Sequence, residues 1–243
     1  MARTRKDSGP AAAGKSAAAP PPAKSAPARP AAAQPATAQG ANVKRSASQK
    51  RELLGTLCDQ VRGCRLCPEL VKNRTQTVFG VGNVQTRLVF LGEAPGADED
   101  KRGEPFVGRA GQLLDKIIEA CSLRREDIYI LNTVKCRPPD NRTPLPEEMD
   151  NCRSFLDQQL EIIRPEFLCC LGRTAAMALF GPKAALAQLR GKVHSWNGLR
   201  VVVTYHPAYL LRNPAAKKDA WEDMQLLMRD MGMDVPGKKT RGK

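Results

Sequence analysis

The chain holds two histidines in 243 residues, and aromatic side chains make up 5% of it. No apolar run approaches the roughly 20 residues that a membrane span needs. The basic start Met1-Ala-Arg-Thr-Arg-Lys6 leads into Ala interrupted by Pro and Lys, not into a Leu-rich stretch. Neither a spanning helix nor a secretory leader is expected, and the cytoplasm is the default location. In that reducing compartment eight cysteines serve as ligands, core residues or catalysts, not as disulfides. Nucleotide signatures are missing as well. Gly80-Val-Gly82 has no third glycine, Gly92-Glu-Ala-Pro-Gly96 is not followed by Lys and Ser or Thr, and no G-x-S-x-G occurs. Dinucleotide and ATP chemistry are disfavoured.

The first 50 residues contain no Phe, Trp, Tyr, Leu or Ile, and 24 of them are Ala or Pro. A segment without large apolar side chains cannot offset its ordering entropy, so residues 1–48 read as a disordered basic tail. Residues 232–243 read as a second, shorter one. That leaves 49–231 as one globular domain, long enough to bury a sizeable core. The net charge of +14 is concentrated in the two tails, which suits non-specific contact with a polyanion, nucleic acid first.

Within the domain, four short apolar runs have the length and composition of buried strands: Leu88–Leu91, Ile128–Leu131, Phe167–Leu171 and Val201–Val203. Helical spacings separate them, as in Leu113, Leu114, Ile117, Ile118 and Cys121, or Phe155, Leu156, Leu160 and Ile163. The alternation predicts an α/β fold with a four-stranded parallel sheet between helical layers. Trp196-Asn-Gly-Leu199 predicts a turn into the last strand, as a hairpin.

Ligands of such sheets bind beyond the carboxyl ends of the strands. Here those ends run into Gly92-Glu-Ala-Pro-Gly-Ala-Asp-Glu-Asp100, Asn132-Thr-Val-Lys-Cys-Arg-Pro-Pro139 and Thr204-Tyr-His-Pro-Ala-Tyr-Leu-Leu-Arg212, so the polar chemistry gathers on one rim. The acidic run Glu93, Asp98, Glu99, Asp100 admits a metal-dependent nuclease. His206, at a strand end and before Pro, reads as catalytic, whereas His194 reads as structural. Cys64-Arg-Leu-Cys67 with Cys136 and Cys152 makes a four-thiolate metal site, for which spacing alone admits either zinc or an iron–sulfur cluster. Cys121, Cys169 and Cys170 lie in apolar runs and read as core. A cluster-bearing nucleic-acid-binding module without catalysis is a further reading.

These motifs, with Gly103-Glu-Pro-Phe-Val-Gly108 and in this order, resemble the family 4 uracil-DNA glycosylases over roughly residues 50–230. The resemblance implies a three-layer α/β/α sandwich and base-excision repair of uracil-containing DNA, single- or double-stranded, by a monomer that leaves an abasic site. It implies a [4Fe–4S] cluster on Cys64, Cys67, Cys136 and Cys152. It makes Phe106 the platform under an extruded uracil, with Gly92 and Ala94 in the same binding pocket. Asn132 reads the base edge, its amide oxygen accepting from N3–H and its NH₂ donating to O4. His206 donates to O2 of the departing base.

Related glycosylases place a water-activating Asp where this chain has Ala94. Glu99 is therefore the expected pocket carboxylate, orienting water or crowding C5 against thymine, with Glu93 acting through its backbone and loop geometry. Leu210 is the expected wedge into the base stack and Arg212 a phosphate contact. A covalent-trapping branch of the superfamily uses a His between the Asn motif and the last cluster Cys; residues 133–151 hold none, which implies turnover.

Overall fold

The computed structural model describes residues 45–236. Among them the strands are β1 (Val81–Gly82), β2 (Leu88–Gly92), β3 (Tyr129–Asn132), β4 (Phe167–Leu171), β5 (Val193–Trp196) and β6 (Leu199–Thr204). They form one sheet in the order β1-β3-β2-β4-β6-β5. The four runs read from the sequence are its parallel centre, β3-β2-β4-β6. The two additions are antiparallel edges. β5 belongs to the hairpin that Asn197 and Gly198 turn, both at positive φ (48° and 81°), as a type I′ turn requires. β1 is two exposed residues with no apolar signal, and it docks on β3 because Gly82 is bare: a Cβ there would stand 2.0 Å from the Ile128 carbonyl oxygen.

Alternation along the strands divides the core in two. Val89, Leu91, Leu131, Leu168, Cys170, Val201 and Val203 face one side, and Leu88, Phe90, Ile130, Cys169, Leu171 and Val202 the other. Cys169 and Cys170 are fully buried on opposite faces, as core packing requires.

The helices are α1 (Ala47–Gly63), α2 (Pro68–Asn73), α3 (Ala97–Arg102), α4 (Arg109–Ala120), α5 (Pro146–Ile163), α6 (Arg173–Phe180), α7 (Leu186–Leu189), α8 (Pro207–Arg212) and α9 (Lys217–Asp230). Leu54, Leu57 and Val61 of α1, Leu156 and Leu160 of α5, and Leu179 of α6 cover the first face. Leu114 and Ile118 of α4 with Met224, Leu227 and Met228 of α9 cover the second. Each such side chain contributes about 1.5–3 kcal/mol by leaving water. The result is a three-layer α/β/α sandwich.

The folded part extends past both expected boundaries. Ser46 caps α1 through a reciprocal pair, Gln49 N–H to Ser46 Oγ and Ser46 N–H to Gln49 Oε1 at 2.8 Å, so residues 45–48 belong to the domain. At the other end Met233 and Val235 pack on the second core beside Met231, two apolar residues inside a stretch whose basic charge suggested a tail. The rest of the expected tails, 1–44 and 237–243, lies outside the described residues.

Chain order fixes where a site can form. From β2 the chain passes to β3 on one side, and from β4 to β6 on the other. The switch point therefore lies between the carboxyl ends of β2 and β4.

Candidate active site and cysteine cavity

A pocket of about 460 Å³ opens over these carboxyl ends, within the size range of small-molecule sites. Its lining brings together Glu93, Ala94, Glu99, Phe106, Asn132, His206 and Arg212 from segments far apart in the chain. Gly92 lies just beneath, and Leu210 is not part of it.

The end of β2 makes the floor. Gly92 pairs with Asn132 across the β2–β3 register. A Cβ on Gly92 would stand 2.3 Å from Asn132 Oδ1 and 2.6 Å from the Phe106 ring, so only glycine lets the amide and the ring converge. Phe106 is buried and held at φ 55°, a left-handed conformation that costs a non-glycine residue roughly 1–3 kcal/mol. Gly111 of α4 packs against its backbone. Asn132 is 2% exposed, yet its Oδ1 has no hydrogen-bond partner among the described residues. A buried acceptor left unpaired costs about 1–3 kcal/mol until a ligand donates to it.

His206 follows β6 and caps α8, its Nδ1 accepting from Ala208 N–H at 3.1 Å. That bond fixes the tautomer: the ring proton sits on Nε2. Burial, with nearby Arg212 adding to it, pulls its pKa from 6.5 down to about 4, so the ring is a neutral donor at ordinary pH. Its centroid is 5.5 Å from that of Phe106. The other histidine, His194, lies on β5 with Nε2 2.7 Å from the Leu189 carbonyl, away from the pocket.

The carboxylates differ from the expectation. Glu99 lines the pocket, and both of its oxygens also hold backbone: Oε1 accepts from Val107 N–H and Gly108 N–H at 2.9 Å each, and Oε2 from Gly96 N–H at 3.1 Å. It sits on the first turn of α3, where its chain reaches two neighbouring loops at once, and it clamps the Pro95-Gly96 loop to the Phe106 loop. Asp100 is buried and accepts from Thr75 N–H through both oxygens at 2.9 Å, while Asp98 is exposed. No group of three or more His, Cys, Asp or Glu able to hold one metal ion occurs among the described residues, so the acidic run does not converge as a nuclease site would need. Glu93 remains. Its backbone carbonyl accepts from Val134 N–H, as its expected loop role implies, and its side chain takes a 2.5 Å hydrogen bond from Thr174 Oγ1 across the switch point.

Leu210 is also corrected. The segment after His206 is a helix, and helical rotation carries Leu210 inward to 1% exposure, into an apolar cavity walled by Leu113, Ile117, Trp221 and Met224. A side chain seated there is no wedge. The pocket face of α8 is Ala208, Tyr209 and Arg212. Sequence reading missed Tyr209 and Thr174; the 3.6-residue period applied from the His-Pro cap would have found the first. It also missed Asn141 and Arg142 on the pocket rim, where Arg142 is fixed by Glu148 at 2.8 Å and Glu69 at 2.9 Å.

Cys64, Cys67, Cys136 and Cys152 line a separate cavity with Leu70, Arg74 and Asn151. Donors point at the sulfurs: Arg74 Nη1 to Cys136 Sγ at 2.9 Å, Lys135 N–H to Cys152 Sγ at 3.4 Å and Asn151 Nδ2 to Cys67 Sγ at 3.5 Å. Burial pushes the Cys152 thiol up to about 12 and raises Cys136 and Cys67 as well, so thiolates there need a cation. Four cysteines line this one cavity, and cationic and amide donors back three of them. Four cysteines around one cavity, backed by such donors, suit a four-thiolate metal centre.

Comparisons with known proteins agree with this geometry. The model of the uracil DNA glycosylase superfamily matches residues 79–225. The chain is 49% identical over 166 residues to the type-4 uracil-DNA glycosylase of Thermotoga maritima, an alignment covering 68% of this chain and 86% of that protein. It is 42% identical over 193 residues to the type-4 enzyme of Archaeoglobus fulgidus, covering 76% and 96%. A type-5 uracil-DNA glycosylase of Pyrobaculum aerophilum is more distant, 32% identical over 180 residues.

Proposed function

The chain belongs to the uracil DNA glycosylase superfamily and is a uracil-DNA glycosylase of base-excision repair, and from that premise we propose how its pocket selects and releases the base. The observation that carries the proposal is the unpaired, buried Asn132 Oδ1, set beside the Phe106 ring over a bare Gly92. Uracil offers N3–H to that oxygen and O4 to the amide NH₂; cytosine presents the opposite pattern at both positions. Only an extruded nucleotide reaches this depth, so the base flips out of the stack and lies against Phe106.

Hydrolysis breaks the C1′–N1 bond, forms a C1′–O bond with water, and releases one water proton, which ends on the departed uracil anion. The electron pair leaves with uracil, and charge collects on O2 and O4. His206 Nε2–H donates to O2 as that charge grows, while Asn132 NH₂ donates to O4. Because His206 is neutral, its hydrogen bond strengthens in the transition state and adds little in the ground state. Glu93, not Glu99, orients the water, since its carboxylate is held by Thr174 and lines the pocket. Glu99 is a positioning residue for the Phe106 loop. Ala94 keeps the wall beside Glu93 small, and Arg212, exposed on the rim, meets a phosphate.

The cofactor proposed is a [4Fe–4S] cluster on Cys64, Cys67, Cys136 and Cys152, where it would supply a structural cross-link between three segments of the chain. Arg74 and Lys135 balance its negative charge. The protein is proposed to act as a monomer in the cytoplasm.

The test is incubation of the purified protein with a uracil-containing oligonucleotide and excess chelator, then alkaline cleavage. Abasic sites formed at an unreduced rate are expected. Strand breaks without alkali that vanish with chelator would overturn the reading in favour of a nuclease.

A further inference from the structure

Burial of Leu210 leaves the problem of what engages the DNA stack when the nucleotide leaves it. Extrusion costs a few kcal/mol of stacking and pairing, and proteins that extrude or kink DNA offset that cost with an exposed side chain placed against the neighbouring base step. Such a group has to be exposed, apolar or aromatic, next to the pocket mouth, and held in place before DNA arrives.

Tyr209 meets all four conditions. It is 39% exposed and lines the pocket three residues after His206 on the same helix. Its ring stacks on that of Tyr205, with centroids 4.9 Å apart and planes 25° from parallel. Tyr205 in turn carries the Arg190 guanidinium 3.9 Å from its ring centre. Arg190 is anchored by the buried carboxylate of Asp223 at 2.7 Å, and that carboxylate also accepts from Gly191 N–H at 3.0 Å. An ion pair, a cation–π contact and a ring stack thus run from the interior to one exposed tyrosine. Most of that side chain's rotamer entropy is spent in folding and not in binding. Leu211, similarly exposed at 37%, does not line the pocket and has no such support.

We propose that Tyr209 is the stacking residue of duplex recognition: its ring packs against the base next to the extruded uracil and offsets the loss of stacking. The Tyr205–Arg190–Asp223 series is the brace that holds it. The proposal rests on the glycosylase reading. It predicts a selective effect, because single-stranded DNA has little stacking to replace.

The experiment compares single-turnover uracil release from one sequence as duplex and as single strand, in wild type, Tyr209→Ala, Tyr209→Phe and Leu210→Ala. Alanine at 209 should slow the duplex reaction roughly ten- to a hundredfold, the range that base–aromatic stacking supports, and leave the single-strand rate within about twofold. Phenylalanine should match wild type on both, since the ring carries the effect. Leu210→Ala should lower thermal stability without changing the duplex-to-single-strand ratio. Equal slowing on both substrates, or a selective duplex defect in Leu210→Ala with none in Tyr209→Ala, would overturn the assignment. Absence of uracil release by wild type on either substrate would sink the glycosylase reading instead.

Discussion

The pocket and the cysteine cavity each have to accommodate negative charge, and they do so with different groups. In the cavity the charge is permanent once thiolates hold a cluster, and the donors include a fixed cation, Arg74 at 2.9 Å from Cys136, with the Lys135 backbone N–H at 3.4 Å from Cys152. In the pocket the charge exists only as the glycosidic bond breaks, and the groups proposed to face it are the neutral Asn132 amide and the neutral imidazole of His206. A cation in contact with the base would stabilise bound anions at all times and slow product release. Neutral donors respond to charge as it develops. Lys135 joins the two regions, its Nζ donating to the Asn132 carbonyl at 2.7 Å while its backbone N–H faces Cys152.

The largest effect expected from breaking this contrast comes from placing a charge in the pocket. Asn132→Asp keeps the shape but replaces the NH₂ donor with an anionic oxygen, so the bond to O4 is lost and a carboxylate faces the developing negative charge. Sites built on hydrogen bonds reject mismatches by up to about 10⁴–10⁵-fold, and uracil release should fall toward that range with the iron content unchanged. Release at the wild-type rate would show that Asn132 does not read the base.

The second prediction breaks the other side. Cys136→Ala removes one sulfur and the Arg74 Nη1 contact to it. The protein should lose its brown colour and its iron, with a Tm lowered by ten degrees or more, about 3 kcal/mol for a domain of this size. A colourless protein of wild-type stability, or one holding zinc, would end the cluster assignment.

His206→Ala comes third. Removing one donor to the developing oxyanion should slow cleavage about 10²–10³-fold and leave binding to uracil-free DNA unchanged. Its pH behaviour separates it from an ordinary histidine. With the folded pKa at about 4, the wild-type rate should not show a His step near 6.5. The folded pKa lies below the unfolded one, so between about 4 and 6.5 the unfolded chain binds the extra proton. Stability is therefore lost as pH falls through that window, by up to about 3 kcal/mol, and denaturant titrations of His206→Ala should show a shallower acid slope.

Much of this contrast was legible in the sequence. The four central strands announced themselves as apolar runs, because strands covered on both faces have no polar alternation to hide them. Gly92, Asn132 and His206 stood at strand ends, where chemistry collects in this fold class, and they meet around one pocket with Phe106 from the loop before α4. What failed were inferences within short loops. Glu99 lies in the pocket as expected, but nothing in Gly92–Asp100 shows that three backbone N–H groups would converge on it. Leu210 was taken for a wedge because the six-residue α8 is too short to display a period, although His206 and Pro207 mark its start. β1 was unreadable, since its two exposed residues owe their place to a bare Gly82.

The smallest predicted effect concerns Thr174, which links β4 to β2. Its Oγ1 donates to Glu93 Oε2 at 2.5 Å from the first turn of α6, and the residue is 4% exposed. The bond spans the switch point of the sheet, so it ties together two loops that share no strand. If Glu93 orients the attacking water, this hydroxyl sets the carboxylate's direction. Thr174→Val keeps the branched shape and removes only the donor. A hydrogen bond to a charged acceptor is worth about 1.5–3 kcal/mol, but Glu93 is part-exposed and water recovers some of that, leaving roughly a tenfold loss in the single-turnover rate. Affinity for uracil-free DNA should not change, and Thr174→Ser should recover most of the rate. The decisive measurement is the double variant with Glu93→Gln. Once the carboxylate is gone, its orienting partner has nothing left to direct, so Thr174→Val should add almost nothing to Glu93→Gln. If the two losses instead multiply, Thr174 acts by some other route, and Glu93 does not owe its position to the bond across the switch point.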